Sequence, residues 1–193
     1  MERENLKLIE IDKTKLVSYY NEYIRKNFPE SECSTPKTLR RLIDEFGYRG
    51  FKLKDGNKVV GISFLRPLKH FYFMDFLLVP PNLRRGGYGS ALLKKISEFV
   101  LDEDKKCGII LEIEMPMPAH KTMIEKRYNF YVNNNFTPLD VRAMVFGVEF
   151  LLMFQTLKPC EYNPIVEYKE SQMAVYTEGK ENLKIFAMGD FII

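Results

Sequence analysis

The sequence is short of the residues from which metal and redox centres are made. It has three cysteines and two histidines. Cys33, Cys107 and Cys160 are far apart in the chain, so there is neither a zinc knuckle nor a Cys-x-x-Cys redox pair, and a structural metal site is not expected. An apolar run of 18 residues is also missing, which excludes a membrane-spanning helix. The start, MERENLKLIE, is too charged for a secretory signal, and the expectation is a cytoplasmic protein. Charge of one sign is scarce too: 29 basic against 26 acidic residues leave a net charge of +3, interspersed and too mild for a nucleic-acid surface. Two nucleotide signatures are absent. No Gly-x-x-x-x-Gly-Lys-Ser/Thr occurs, and the glycines at 86, 87 and 89 do not form the Gly-x-Gly-x-x-Gly of a dinucleotide site.

What is present is a well-cored globular composition, 46% hydrophobic and 28% charged, in 193 residues. That length suits one domain better than two. The central stretch is FYFMDFLLVPPNLRRGGYGSALLKKI, Phe71 to Ile96. It reads as an apolar strand, a break at Pro80 and Pro81, and a helix opening near Gly87. Between strand and helix, RRGGYGS lets the backbone curl until successive N–H groups point inward. With the positive end of a helix dipole behind it and Arg84 and Arg85 beside it, this turn is suited to a multiply charged anion such as a pyrophosphate. The plainer reading is a glycine-rich turn that starts a helix.

Around this stretch the chain reads in order as a first strand, Leu6 to Ile11, and a helix through KLVSYYNEYIRKNF with Leu16, Tyr20, Tyr23 and Ile24 on one stripe. Those aromatics pack in the core or over a cleft. Thr35 and Pro36 open a second helix that Gly47 stops. Asp55-Gly56 turns two strands into a hairpin, His70 to Val79 is the fourth strand, and a helix follows from about Gly87 to Leu101. The fifth strand, Gly108 to Met115, has Ile109, Leu111, Ile113 and Met115 on one face and Ile110, Glu112 and Glu114 on the other. Two carboxylates on an otherwise apolar strand must be at a wet cleft, paired, or near an exposed end. A helix from about His120 to Asn133 ends at the asparagine triplet, since Asn135 tolerates the left-handed conformation. Strands at Phe136 to Val141 and Phe150 to Leu157 follow, then a helix capped by Asn163 that runs to about Tyr176. The apolar tail from Leu183 to Ile193 calls for a partner surface, as a strand or docked segment.

Two blocks of this sequence resemble the GNAT superfamily of N-acetyltransferases. Arg84-Arg85-Gly86-Gly87-Tyr88-Gly89 matches the family's Arg/Gln-x-x-Gly-x-Gly/Ala motif, and EKRYNFYVNNNF, Glu125 to Phe136, is similar to its next helix. Their order and spacing agree, and the resemblance covers roughly residues 6 to 157. It departs at Asn135, where the family usually has glycine, and at Ile124, where it often has asparagine.

The resemblance implies an α/β (α+β) fold. Its central sheet is mixed and mostly antiparallel, with about seven strands splayed between strands four and five and flanked by helices. Residues 1–160 form the acetyltransferase domain, and 161–193 are a C-terminal extension packed on it. The implied cofactor is acetyl-CoA, with CoA as product, held by Leu77, Leu78, Val79, Arg84, Arg85, Gly86, Gly87, Tyr88, Gly89, Ser90 and Asn134. The amide of Leu78 would polarise the thioester carbonyl, and Tyr131 would protonate or stabilise the leaving thiolate. Glu114, then Glu112, then Asp75 are the candidates for the base. The plainer reading of the glutamates is ion pairing, and of Tyr131 an aromatic packed under the cofactor. The implied acceptor is a primary amine of a small molecule, peptide or protein, with no nucleic acid, membrane or metal, in a monomer or homodimer. The alternative is a non-catalytic acyl-CoA-binding or sensing module.

Overall fold

The computed structural model describes residues 5–115, 121–176 and 183–187. Its strands are β1 (Leu6–Glu10), β2 (Arg49–Asp55), β3 (Lys58–Pro67), β4 (Phe71–Leu78), β5 (Gly108–Glu114), β6 (Thr137–Val145), β7 (Val148–Thr156) and β8 (Leu183–Ala187). They make one eight-stranded mixed sheet in the order β1-β2-β3-β4-β5-β7-β6-β8, with β4 and β5 parallel. About seven strands were expected, and the eighth is the start of the apolar tail. The chain gathers into two compact units, Met1–Pro67 with Met74–Phe99, and Leu68–Phe73 with Val100–Ile193.

In the first unit the Asp55-Gly56 turn forms as expected, with Gly56 at φ +56° and Asp55 paired to Lys58. The helix expected through residues 15–28 is only partly regular. Helix α1 (Leu16–Tyr19) passes into a wider π-turn over Tyr20–Ile24, closed by Arg25 N–H to Tyr20 O at 3.1 Å. Leu16, Tyr20 and Ile24 are buried, and the Tyr20 ring meets Phe64 and Phe76 edge-on, each at 5.5 Å. Helix α2 (Pro36–Glu45) starts where Thr35 Oγ1 accepts from Thr38 N at 3.1 Å, a cap of about 1 kcal/mol. Leu39, Leu42 and Ile43 are its buried face, and Gly47 leaves it at φ +62°. Helix α3 (Tyr88–Leu101) buries Leu92, Leu93, Ile96 and Val100. A Cβ on Gly61 of β3 would stand 3.0 Å from Leu92 Cδ2, so strand and helix approach here because the side chain is missing.

In the second unit β5 pairs with β7, β7 with β6 and β6 with β8, all antiparallel. A Cβ on Gly108 would collide with the Gln155 carbonyl, which fixes glycine at the start of β5. Helix α4 (Lys121–Val132) ends as expected with Asn135 left-handed at φ +66°. The β6–β7 hairpin turns at Phe146 (φ +48°) and Gly147 (φ +85°). Two successive positive φ values are the mark of a tight hairpin turn, and this one lengthens both strands beyond the expected ranges. Asn163 Oδ1 caps helix α5 (Pro164–Val175) by accepting from Ile165 N at 2.9 Å. Phe71, Phe73, Cys107, Ile110, Val141, Leu152 and Tyr168 form this unit's core.

Candidate active site

The first unit carries the anion turn. β4 ends at Leu78, Pro80 and Pro81 carry the chain through one 3₁₀ turn (Pro81–Leu83), and α3 begins at Tyr88. Between them Arg85 has φ +63° and Gly87 φ +79°. Left-handed backbone at alternate positions is one ingredient of an anion nest, and the 14-residue helix puts its positive end behind the turn. Arginine in this conformation carries strain of about 1–2 kcal/mol. The turn is also exposed: Arg84, Arg85, Gly86, Gly87 and Ser90 face solvent. Arg84 is steered by its Nε donating to Val79 O at 3.2 Å, and Tyr88 by its hydroxyl donating to Asp55 Oδ2 at 2.7 Å. Sequence reading missed Asp55 in this role because it was already accounted for as a turn residue.

Immediately before this turn, Leu78 is buried and Leu77 and Val79 are half-buried. Three residues before Leu78 is Asp75, 16% exposed at its side chain, with Arg66 Nη2 3.7 Å from Oδ1. Arg66 is 1% exposed. Burial pushes the Asp75 carboxyl up to about 6, against the downward pull of the Arg66 guanidinium and of Tyr48. At 3.7 Å the pair is a charge contact rather than a short hydrogen bond, which is why burial prevails. Arg66 was not singled out beforehand. It is the one ionisable residue within VVGISFLRPL, the same signal that marks the glutamates of β5.

The second unit holds the other expected residues. Glu112 is half-buried and engaged: Tyr168 Oη donates to its Oε1, and Gln172 Nε2 donates to the same oxygen at 3.1 Å. Both partners come from α5 and are buried, 1% and 4% exposed. Glu114 is half-buried on the rim of an apolar cavity of about 420 Å³, which Ile113, Ile124, Tyr128 and Leu151 also line. The two carboxylates share a strand face by sequence but have different surroundings. Tyr131 is buried at 9% exposure, between Phe130 at 5.1 Å and Phe136 at 5.5 Å, both edge-on. Burial pushes its phenol up to about 12, with Arg127 opposing, so it keeps its proton at neutral pH. Asn134 is occupied as a helix cap, its Nδ2 donating to Phe130 O at 2.7 Å and its own carbonyl accepting from Gln155 at 3.2 Å. Among the described residues there is no cluster of three His, Cys, Asp or Glu suited to a metal, and no helix long and apolar enough to cross a membrane.

Comparison with known proteins agrees with the arrangement of strands. The profile of the Acetyltransferase (GNAT) family matches residues 15–130, and the chain belongs to that family. Among solved structures it is similar to a GNAT-family acetyltransferase from Bacteroides thetaiotaomicron, with 23% identity, a TM-score of 0.68, and 90% of this chain and 98% of that one covered. It is similar also to the ribosomal-protein-S18-alanine N-acetyltransferase of Escherichia coli (18% identity, TM-score 0.60, coverage 82% and 97%). A third is the spermidine N-acetyltransferase of Vibrio cholerae in complex with CoA and spermine (13%, 0.58, 79% and 96%). At these identities the structures share the fold. A search of curated proteins returned no match. Family membership supports acyl transfer dependent on acetyl-CoA as the general activity.

Proposed function

We propose that the protein transfers the acetyl group of acetyl-CoA directly to a primary amine of a small molecule, peptide or protein bound at the same time. The observation that carries this reading is the alternation of left-handed backbone at Arg85 and Gly87 at the start of α3. Such a turn fits the pyrophosphate of CoA: backbone amides from Gly86 to Ser90 would bind it, and the exposed Arg84 and Arg85 would add charge. The pantetheine arm would run along the backbone of Leu77, Leu78 and Val79. Bound there, the thioester supplies an activated acyl carbon.

The Leu78 amide then polarises the acyl oxygen. For the proton of the incoming ammonium, Asp75 moves ahead of the glutamates. Burial raises its carboxyl to about 6, where it can take a proton close to neutral pH, and it is attached to the strand that carries Leu78. Glu114, on the rim of its cavity, attracts the cationic acceptor. Glu112 holds α5 through Tyr168 and Gln172. Tyr131 steadies the leaving thiolate as a hydrogen-bond donor. With its phenol near 12 it does not give the proton away outright to a thiolate of ordinary basicity, near 8.5.

One observation favours the alternative of a sensing module: Asp75 and Glu112 are both already engaged by other side chains. The two readings separate in one experiment, calorimetry with acetyl-CoA beside a thiol-release assay over a panel of amines. Catalysis predicts micromolar binding, release with at least one amine, and loss of both in Gly87→Glu. Binding without release over the whole panel would support sensing, and equal binding by wild type and folded Gly87→Glu would remove the proposed cofactor site.

A further inference from the structure

The core of the second unit brings two cysteines together that are 53 positions apart in sequence. Cys107 precedes β5, and its carbonyl accepts from both Leu157 N at 2.8 Å and Lys158 N at 3.0 Å. The chain leaving β7 is therefore fixed against Cys107, and two residues later Cys160 packs back on the core cluster to which Cys107 belongs. Their side chains are close enough to influence each other's ionisation, and both are free. They differ in access. Cys107 is 9% exposed, whereas Cys160 is half-exposed.

We infer that Cys107 and Cys160 are a site of reversible oxidation, closed to a disulfide by a hydroperoxide. The asymmetry sets the order of events. Cys160 meets the oxidant first: its sulfur attacks one peroxide oxygen, the O–O bond breaks, and a sulfenic acid and one water are formed. The Cys107 sulfur then attacks the Cys160 sulfur, the S–O bond breaks, and the departing hydroxide takes the Cys107 proton as a second water. Overall two thiols lose two electrons and two protons, and one hydrogen peroxide is reduced to two waters. Burial and the neighbouring Cys160 push the Cys107 thiol up to about 11, which disfavours it as the first to react. Nearness compensates for this in the second step, since Leu157 and Lys158 hold the approach to Cys160 on the Cys107 carbonyl.

The consequence falls on α5. Cys160 is four residues before Pro164, which begins that helix. The helix carries Glu167, which accepts from His70 N at 2.8 Å, as well as Tyr168 and Gln172, which hold Glu112. A bond at Cys160 fixes the approach to α5 on the start of β5, so oxidation restrains the helix and reduction releases it.

The test is treatment of the full chain with hydrogen peroxide in slight excess, followed by alkylation and peptide mass analysis. The expected product is a cross-linked peptide pair containing Cys107 and Cys160, two hydrogens lighter than the reduced pair and reversed by dithiothreitol. Cys33 should remain alkylatable throughout. In Cys160→Ser no cross-link forms and Cys107 stays a thiol. Hydrogen exchange over residues 164–175 should slow several-fold on oxidation of the wild type. Conversion of Cys160 to sulfinic acid beside an intact Cys107 thiol, full alkylation of all three cysteines after treatment, or a disulfide to Cys33 would each overturn the site. A cross-link with unchanged exchange in α5 would overturn the restraint.

Discussion

Asp75 on β4 and Glu112 on β5 pose the same problem to the fold, a carboxylate set into an apolar strand, and the two are solved differently. Asp75 faces a cation that it does not closely touch, Arg66 at 3.7 Å, and its carboxyl rises to about 6. Glu112 faces neutral donors on α5, the Tyr168 hydroxyl and the Gln172 amide. A buried acid with a loosely held counter-charge can change its protonation near neutral pH, whereas one bound by fixed hydrogen bonds serves as an anchor point. The comparison separates a group suited to proton transfer from one suited to holding a helix, although sequence gives both the same appearance.

The sharpest way to break the comparison is Asp75→Asn. If Asp75 is the base, turnover at saturating acceptor should fall by about 100-fold, within the range of general-base loss, and the acidic limb of the rate profile near pH 6 should vanish. A stability measurement belongs beside it, because the substitution leaves the Arg66 charge buried. A folded variant that keeps wild-type turnover and limb would return the base to Glu114.

Arg66→Gln tests the cause of the shift. Arg66 draws the Asp75 carboxyl down, so its removal should move the acidic limb to higher pH by about 1 unit and cut the rate at pH 6 by roughly fivefold. A limb that moves to lower pH contradicts the assignment. The same shift has a stability sign. The folded-state value of Asp75 lies above its unfolded value, so its contribution is complete below about pH 4 and is lost as pH rises through about 6. Wild type should lose on the order of 2–3 kcal/mol relative to Asp75→Asn over that window, read by urea denaturation at a series of pH values.

At Glu112 the expected effects are smaller and of another kind. Glu112→Gln weakens a charge-assisted hydrogen bond and should cost about 1–2 kcal/mol of stability, with turnover within about twofold of wild type. Tyr168→Phe should cost about 1 kcal/mol, and together the two should cost less than their sum, because they remove one shared bond. A large fall in turnover with unchanged stability in Glu112→Gln would place Glu112 in the chemistry and erase the distinction.

Most of the architecture could be read from the sequence where local chemistry and long-range packing agree. Thr35, Asp55-Gly56, Asn135 and Asn163 cap, turn or terminate where their side chains and conformational freedom predict. The misreadings lie where packing overrides local preference. The π-turn at Tyr20–Ile24 has a helical pattern in sequence, and Tyr20 takes its position from the rings of Phe64 and Phe76 and from Ser34 N, which donates to its hydroxyl at 2.9 Å. Phe146 turns a hairpin although phenylalanine is no turn former, and its ring meets Tyr176 edge-on at 5.0 Å. At the candidate site, position in a motif was legible and environment was not. The anion turn is written in consecutive residues, whereas the surroundings of Asp75 and Glu112 come from Arg66, Tyr168 and Gln172, up to 60 positions away.

The strand Leu183–Ala187 also bears on solubility. It pairs with Val141–Val145 of β6, a run containing Val141, Ala143 and Val145 that would otherwise be the margin of the sheet. An uncovered margin of this kind presents backbone donors and acceptors to any other extended chain and invites self-association. Residues 183–187 therefore take over the margin of the sheet from β6, and β8 is its edge strand among the described residues. A version of the protein cut after α5 would keep the residues of the anion turn and of α4, yet be at risk of precipitating before its activity could be measured.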